Sequence, residues 1–373
     1  MHSSILLAAP ALLIQSGCMN RRHFLQTTVA SVATVASSGI LSAQEEASGK
    51  KPRFGFDNFS IRALGWKAGQ LLDYAAAQKV TAILFSDLDV YESHDDSYLA
   101  ELSRKAQGLG IQIYVGTGGI CPSAHRFSDK WGDAPTMLAL TLKIAKKLGS
   151  PVARCYQGFS EDRRSPGGIA ARNQDTLKVL AAVRPMALDL GVKIAIENHA
   201  GDMQGWELAR LIEQAGPEFV GATIDPGNAT WTLEDPMDNL EALGPHILCS
   251  GIRNSVVWET GEGAQCAWTS PGEGSIDMKA YAQRFFELAP DAPFIIETIS
   301  GFSRPFPYLL PGFWKGYEEI PAKNFAAFVA LAKKGKPIPP FEKPAENAKE
   351  AEQAYQKSDL EKSLRWCEAN LNA

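Results

Sequence analysis

Short apolar, often β-branched runs recur along the chain, separated by stretches in which apolar residues fall at helical spacing. The runs lie at 53–59, 80–85, 111–116, 152–157, 192–197, 220–225, 247–252 and 293–300. Each is nearly continuous in apolar character, the pattern of a parallel strand covered on both faces. Between them the helix signals are clear. Pro135-Thr136-Met137-Leu138 opens one helix with proline in its first turn, and Lys146-Lys147-Leu148-Gly149 closes it with basic residues and glycine. Further helices are expected over 175–191, 277–288 and 322–335. Eight strands alternating with helices over roughly 250 residues predict an α/β fold, a (β/α)8 TIM barrel. A doubly wound open sheet is the competing architecture. It lacks support, because no G-x-G-x-x-G follows the first run and no G-x-x-x-x-G-K-[ST] occurs.

The segments outside the barrel differ in composition. Lys336-Pro337-Ile338-Pro339-Pro340-Phe341 reads as an extended connector. A charged helix is expected from about 345 to 371, with Tyr355, Leu360, Leu364, Cys367 and Leu371 on one face, packing on the barrel or on a second copy of the chain. At the other end, Met19-Asn20-Arg21-Arg22-His23-Phe24-Leu25-Gln26 precedes an apolar stretch and the small residues of Leu41-Ser42-Ala43. This resembles a twin-arginine export signal, with Met19 as the expected start, and implies a periplasmic protein. The expected organisation is a signal segment at 1–43, a polar leader at 44–52, the barrel at 53–335, and the connector with its C-terminal helix at 336–373.

Charge and cysteine content narrow the chemistry. The net charge is −5, with no basic run that could track phosphates, so nucleic acid is not an expected partner. None of the six cysteines forms a Cys-x-x-Cys pair, and they read as buried apolar residues. After signal removal no segment is long and apolar enough to span a bilayer.

Functional side chains of such barrels sit at the C-terminal ends of the strands. The fifth run ends Ile196-Glu197-Asn198-His199, the sixth Ile224-Asp225-Pro226-Gly227-Asn228, and the eighth Ile296-Glu297-Thr298. Three strands finishing on carboxylates would bring them together at the barrel mouth. Three ionised carboxylates need a neutralising cation or proton. Oxygen ligands suit a hard divalent ion, Mn²⁺ or Mg²⁺ first, with Zn²⁺ or Co²⁺ as further candidates. Glu197, Asp225 and Glu297 are the expected ligands. His199, Asn228, Arg253, Trp66 and Glu273 are candidates for contacting substrate. Trp231, Trp258 and Trp268 also follow strands and could wall a sugar site.

These motifs, in this order, resemble the xylose isomerase-like barrel superfamily over about 53–335. That superfamily includes sugar isomerases, ketose 3-epimerases and AP endonuclease 2-type enzymes. The resemblance implies a metal-assisted sugar isomerase or epimerase, in which Glu197 and Glu297 move a proton next to a carbonyl and Asp225 only ligates. One departure stands out. The family's His-x-Lys/Arg-Asp on strand seven is here Gly251-Ile252-Arg253-Asn254. Gly251 replaces the expected metal-binding His, so the metal is expected to be weak or absent. Two alternatives stay open: a barrel that binds carbohydrate without turning it over, and a lyase or hydrolase of keto-glycosides. Two carboxylates flanking a glycosidic bond would also serve a glycosidase. A Ser-His-Asp hydrolase is disfavoured, because no G-x-S-x-G occurs.

Overall fold

The computed structural model describes residues 52–371. The export-signal motif, the start at Met19 and the leader up to residue 51 lie outside the described residues. Eight parallel strands close into a barrel in the order β10-β1-β2-β3-β4-β5-β6-β7. They are β1 (Phe54–Asp57), β2 (Ala82–Phe85), β3 (Gln112–Gly119), β4 (Val152–Tyr156), β5 (Lys193–Glu197), β6 (Val220–Ile224), β7 (Ile247–Ser250) and β10 (Phe294–Ile296). The seam between β7 and β10 is closed just beyond β7. Ile252 N–H donates to Ile295 O (2.6 Å), and Glu297 N–H donates to Ile252 O (3.0 Å). The ring therefore ties the ends of the seventh and eighth barrel strands together.

Helices α1 (Ala68–Ala77), α2 (Asp96–Leu109), α3 (Ala134–Leu148), α4 (Gly168–Leu190), α5 (Gly205–Ala215), the short α6 (Pro226–Thr230), α7 (Pro236–Leu243) and α8 (Met278–Leu288) follow the strands. The local rules that set them are visible at α3. Asp133 caps its first turn by accepting from Thr136 N–H, and Gly149 ends it with φ of 71°, a left-handed conformation that glycine adopts without strain. Helix α4 begins seven residues before the predicted 175 and carries Pro185 inside it.

Strand alternation divides the core. Phe56, Ile83, Val115, Ile194, Ile196, Ala222, Ile224 and Ile296 face outward into the helix layer. Ala82, Leu84, Tyr114, Val152, Ala195, Cys249 and Ile295 fill the barrel interior. Because side chains repeat every second residue, the next inward positions towards the C-terminal end are Ser86, Arg154, Glu197, Gly251 and Glu297. On the other three strands the inward positions are Asp57, Gly116 and Asp225, and Gly116 adds no side chain. This alternation is what gathers the charged residues in one layer.

Two features go beyond the predicted pattern. After β7 the chain forms the hairpin β8 (Asn254–Thr260) and β9 (Gly263–Thr269), which β11 (Ser303–Phe306) extends to a three-stranded antiparallel sheet. Helix α9 (Ala322–Lys334) packs on this sheet through Phe328 and Ala332, in a second core with Trp231, Trp268, Phe306 and Phe313. The eighth-helix position beside β10 and the helical turn Asn58–Leu64 after β1 is filled instead by α10 (Ala348–Leu371). Its buried face mixes Leu360, Leu364 and Cys367 with Gln356, Asp359 and Ser363. Gln356 accepts from Ala63 N–H (2.9 Å), and Asp359 accepts from the hydroxyls of Ser270 and Ser300. The C-terminal helix is therefore part of the barrel wall. The cysteines of the described residues are buried and unpaired, and no described helix is long and apolar enough to cross a membrane.

Candidate active site

Glu197, Asp225 and Glu297 converge at the C-terminal mouth, where one oxygen of each lies within 4.8 Å of the others. All three are buried, and burial penalises the ionised forms of Glu197 and Asp225. It raises Glu197 well above the usual carboxylate range, against the pull of Arg154 and with the help of Glu297 and Asp225. It raises Asp225 to about 6, against Arg253.

Two arginines answer these charges. Arg154, inward-facing on β4, donates through Nε to Glu197 Oε2 (2.7 Å), and its Nη2 bonds the same oxygen. Arg253 donates through Nε to Asp225 Oδ2 (2.9 Å), bonds that oxygen again through Nη2, and reaches Glu297 Oε2 with Nη2 at 2.8 Å. Burial opposes both positive charges. Glu197 with Glu297 for Arg154, and Asp225 with Glu297 for Arg253, nonetheless hold each guanidinium firmly protonated. Asn228 links the acids from the first turn of α6. Its Nδ2 donates to Glu197 Oε1 (3.0 Å) and Asp225 Oδ2 (2.8 Å).

The donor set of three carboxylate oxygens is compatible with a divalent ion. Strand seven adds nothing to it. Gly251 sits where the imidazole was expected, and a Cβ there would lie 2.9 Å from Glu297 Oε2. Asn254 is turned away from the cluster. It donates to Pro271 O and Ile276 O (2.7 and 3.0 Å) and accepts from Ile276 N–H, clamping the 270–276 loop. An ion at the triad would have to displace Arg253 from Asp225 and Glu297.

Above the cluster opens a cleft of about 540 Å³, lined among others by Arg154, Tyr156, His199, Asn228, Trp231, Arg253, Trp268, Glu297 and Arg304. Trp231 and Trp268 stack at 3.9 Å and form one wall. His199 stacks on Tyr156 at 3.8 Å, and its Nδ1 lies 2.9 Å from Gly158 O. A carbonyl only accepts, so Nδ1 carries the proton. Burial and Arg154 lower the ring's pKa to about 3. His199 is therefore neutral, with Nε2 a free acceptor. Glu297 faces the cleft, whereas Glu197 lies beneath Arg154 and Asn228.

Of the residues singled out in the sequence, Glu297, His199, Asn228, Arg253, Trp231 and Trp268 meet in this cleft, with Glu197 and Asp225 at its base. Trp66 does not join them; it packs edge-on against Tyr74 on the outside of β1. Glu273 pairs with Lys362 of α10 (2.8 Å), and Trp258 packs with Val256 and Ala267 on the small sheet. Three site residues escaped the sequence reading: Arg154, Asp57 and Arg304. The signal for Arg154 was an arginine inside an apolar barrel strand, Val152-Ala153-Arg154-Cys155. Asp57 also ends a strand, as the three recognised carboxylates do. It accepts from Phe59 N–H and Ser86 Oγ (both 2.7 Å), and burial together with Glu297 raises it to about 7. Arg304 comes from β11, which was not predicted, and its guanidinium lies 4.7 Å over the Trp231 ring.

An uncharacterised Escherichia coli K12 protein, YihM, is 25% identical over 247 residues, 65% of this chain and 69% of its own length. A D-psicose 3-epimerase crystallised with D-fructose superposes with a TM-score of 0.57 at 15% identity, covering 86% of this chain and all of that one. The 3-keto-D-glucoside 4-epimerase of E. coli superposes with a TM-score of 0.51 at 11% identity, covering 75% and 98%. At these identities the structural likeness speaks for the fold. The model of the xylose isomerase-like TIM barrel family matches residues 62–307, most of the barrel, and the chain belongs to that family.

Proposed function

We propose that this protein is an isomerase or epimerase of carbohydrates that moves a proton on a carbon next to a carbonyl. The observation that carries the reading is Glu297. It is a carboxylate facing a sugar-sized cleft, held by Arg253 and set among arginine donors and a stacked tryptophan wall. Aromatic faces pack on the C–H surfaces of a sugar ring, and guanidinium and amide N–H groups bind its oxygens. Glu297 takes the proton from the carbon beside the carbonyl. Arg253 and Arg154 offset the negative charge that develops on the substrate oxygens. The Nε2 of His199 accepts a hydrogen bond from a substrate hydroxyl, and Asn228 fixes Glu197 relative to Asp225. A divalent ion, Mn²⁺ or Mg²⁺ by preference, would be held by Glu197, Asp225 and Glu297, and its chemistry there is to polarise the carbonyl. Returning the proton to the former carbonyl carbon, as the hydroxyl proton passes between the two substrate oxygens, isomerises the sugar. Delivery of a different proton from Glu197 to the opposite face, while Glu297 keeps the one it took, epimerises the sugar. The export-like N-terminus supports a substrate outside the cytoplasm, an unphosphorylated sugar or keto-glycoside.

The test is solvent exchange. Ketopentoses, ketohexoses and 3-keto-glycosides are incubated with the protein in D2O, and deuterium is located by NMR. Exchange beside the carbonyl, abolished in Glu297→Gln, is the expected result. Glu197→Gln that still exchanges but no longer inverts identifies an epimerase. Saccharide binding with no exchange from any substrate in the panel overturns the enzymatic reading and leaves a carbohydrate-binding barrel.

A further inference from the structure

The triad already has a cation in it, and the surrounding chain is shaped to hold that cation. Arg253 lies between Asp225 and Glu297 and is fully buried. Three features make this a built seat. Gly227, in the first turn of α6, lies under the arginine's stem, and a Cβ there would come within 2.6 Å of Arg253 Cδ. The Trp268 ring covers the guanidinium at 4.4 Å, while the indole N–H donates to Gly227 O (2.8 Å) and so fixes the roof to the floor. The hydrogen bonds through Ile252 that close the barrel hold the Arg253 backbone beside that of Glu297. Gly251 adds no side chain to compete for Glu297 Oε2. One donor is left over: Arg253 Nη1 is buried and has no hydrogen-bond partner among the described residues.

We infer that Arg253 is a tethered resident cation of the carboxylate triad. It competes with a divalent ion for Asp225 and Glu297, and its free Nη1 is the donor that meets a substrate oxygen. A guanidinium seated by two carboxylates presents fixed N–H donors at full charge, which suits it to bind a carbonyl or enediolate oxygen. An entering ion must first break the bonds to Asp225 and Glu297, so its apparent affinity falls by the factor that measures the seated state. The inference concerns the occupant of the triad. It stands or falls by metal affinity, separately from the proposed reaction.

The experiment is Mn²⁺ titration of EDTA-dialysed protein, with free ion counted by electron paramagnetic resonance, alongside Tm measured with Mn²⁺ and with EDTA. Wild type is expected to bind Mn²⁺ weakly and to show the same Tm under both conditions. Arg253→Gln removes the charge and should tighten Mn²⁺ binding at least tenfold, with a Tm that Mn²⁺ raises. Adding Asp225→Asn to that variant should abolish the gain. Arg253→Lys, which keeps a charge but lacks the planar fork that spans the two carboxylates, should fall between. Wild type that retains about one Mn²⁺ per chain through EDTA dialysis overturns the inference, whether or not the variants fold. So does an Arg253→Gln protein that binds no more tightly than wild type.

Discussion

Replacing Arg154 by methionine should destabilise the barrel by an amount that depends on pH. Arg154 Nε lies 2.7 Å from Glu197 Oε2, which puts the charge centres about 4 Å apart; at an effective dielectric of about 20 that is roughly 4 kcal/mol. Breaking a buried pair by removing one partner costs about 3–5 kcal/mol, because the other charge stays behind. Glu197 can avoid that cost by taking up a proton. Its pKa is already raised by burial against Arg154, and losing the arginine raises it further. A raised carboxyl pKa means that the folded state binds more protons than the unfolded one, so stability falls as pH rises above the unfolded value. With that value near 4.5, keeping Glu197 protonated costs about 1 kcal/mol at pH 5.5 and about 5 kcal/mol at pH 8. Wild type shares this cost up to its own raised Glu197 pKa, so the gap between wild type and Arg154→Met widens only above that pKa, by at most roughly 3 kcal/mol between these pH values. Urea unfolding at both pH values measures it. Adding Glu197→Gln to Arg154→Met should recover most of the loss at pH 8, since the buried charge is gone. An equal loss at both pH values, or no recovery in the double variant, would refute the pairing argument.

Further predictions rest on single groups. Asp57 has a folded pKa of about 7 against 3.8 in the unfolded chain, so its contribution to stability falls by roughly 4 kcal/mol as pH rises through that window. Asp57→Asn keeps an acceptor for Phe59 N–H and Ser86 Oγ, and should flatten the pH dependence of Tm and raise Tm above pH 7. Asn254→Asp would set a carboxylate against the carbonyls of Pro271 and Ile276 in place of two donated hydrogen bonds. It should cost about 2–3 kcal/mol and speed hydrogen exchange in the 270–276 loop. Trp231→Ala removes half of the stacked wall and the ring beneath Arg304. It should weaken saccharide binding about tenfold by calorimetry, leaving metal affinity unchanged.

The barrel was legible because parallel strands covered on both faces write themselves as apolar runs, and a carboxylate ending such a run has little reason to be there except at the mouth. Glu197, Asp225 and Glu297 could be read this way. Their counter-charges were harder. Arg154 sits one turn of the strand alternation before its partner, and nothing in Val152-Ala153-Arg154-Cys155-Tyr156 says which acid it faces. The small sheet went unread because Ser255-Val256-Val257-Trp258 is short and follows a barrel strand directly. Its turn, Gly261-Glu262-Gly263, was nevertheless a hairpin signal. The apolar face read on the C-terminal helix is only part of its buried side, because Gln356, Asp359 and Ser363 are buried beside Leu360, Leu364 and Cys367 to bond loops and the helix backbone. Its place in the barrel wall is a tertiary fact that helical periodicity does not carry.

The glycine at position 251 illustrates how a missing residue type can mislead when it is read alone. On the sequence it marks a lost ligand and suggests a weakened site. In the fold it belongs with two other positions. Gly227 gives room for the Arg253 stem, and Trp268 roofs the guanidinium and anchors itself to the Gly227 carbonyl. A side chain at 251 would press on Glu297 Oε2, the same oxygen that accepts from Arg253. A histidine there would therefore have to push Glu297 away from Arg253 before it could help to hold an ion. Gly251→His alone should then lower stability without restoring tight metal binding. Combined with Arg253→Gln, it should bind Mn²⁺ more tightly than either single variant, because only then do the imidazole and the freed carboxylates share one empty seat. Equal affinity in Gly251→His and in the double variant would show that the arginine and the ion do not exclude one another.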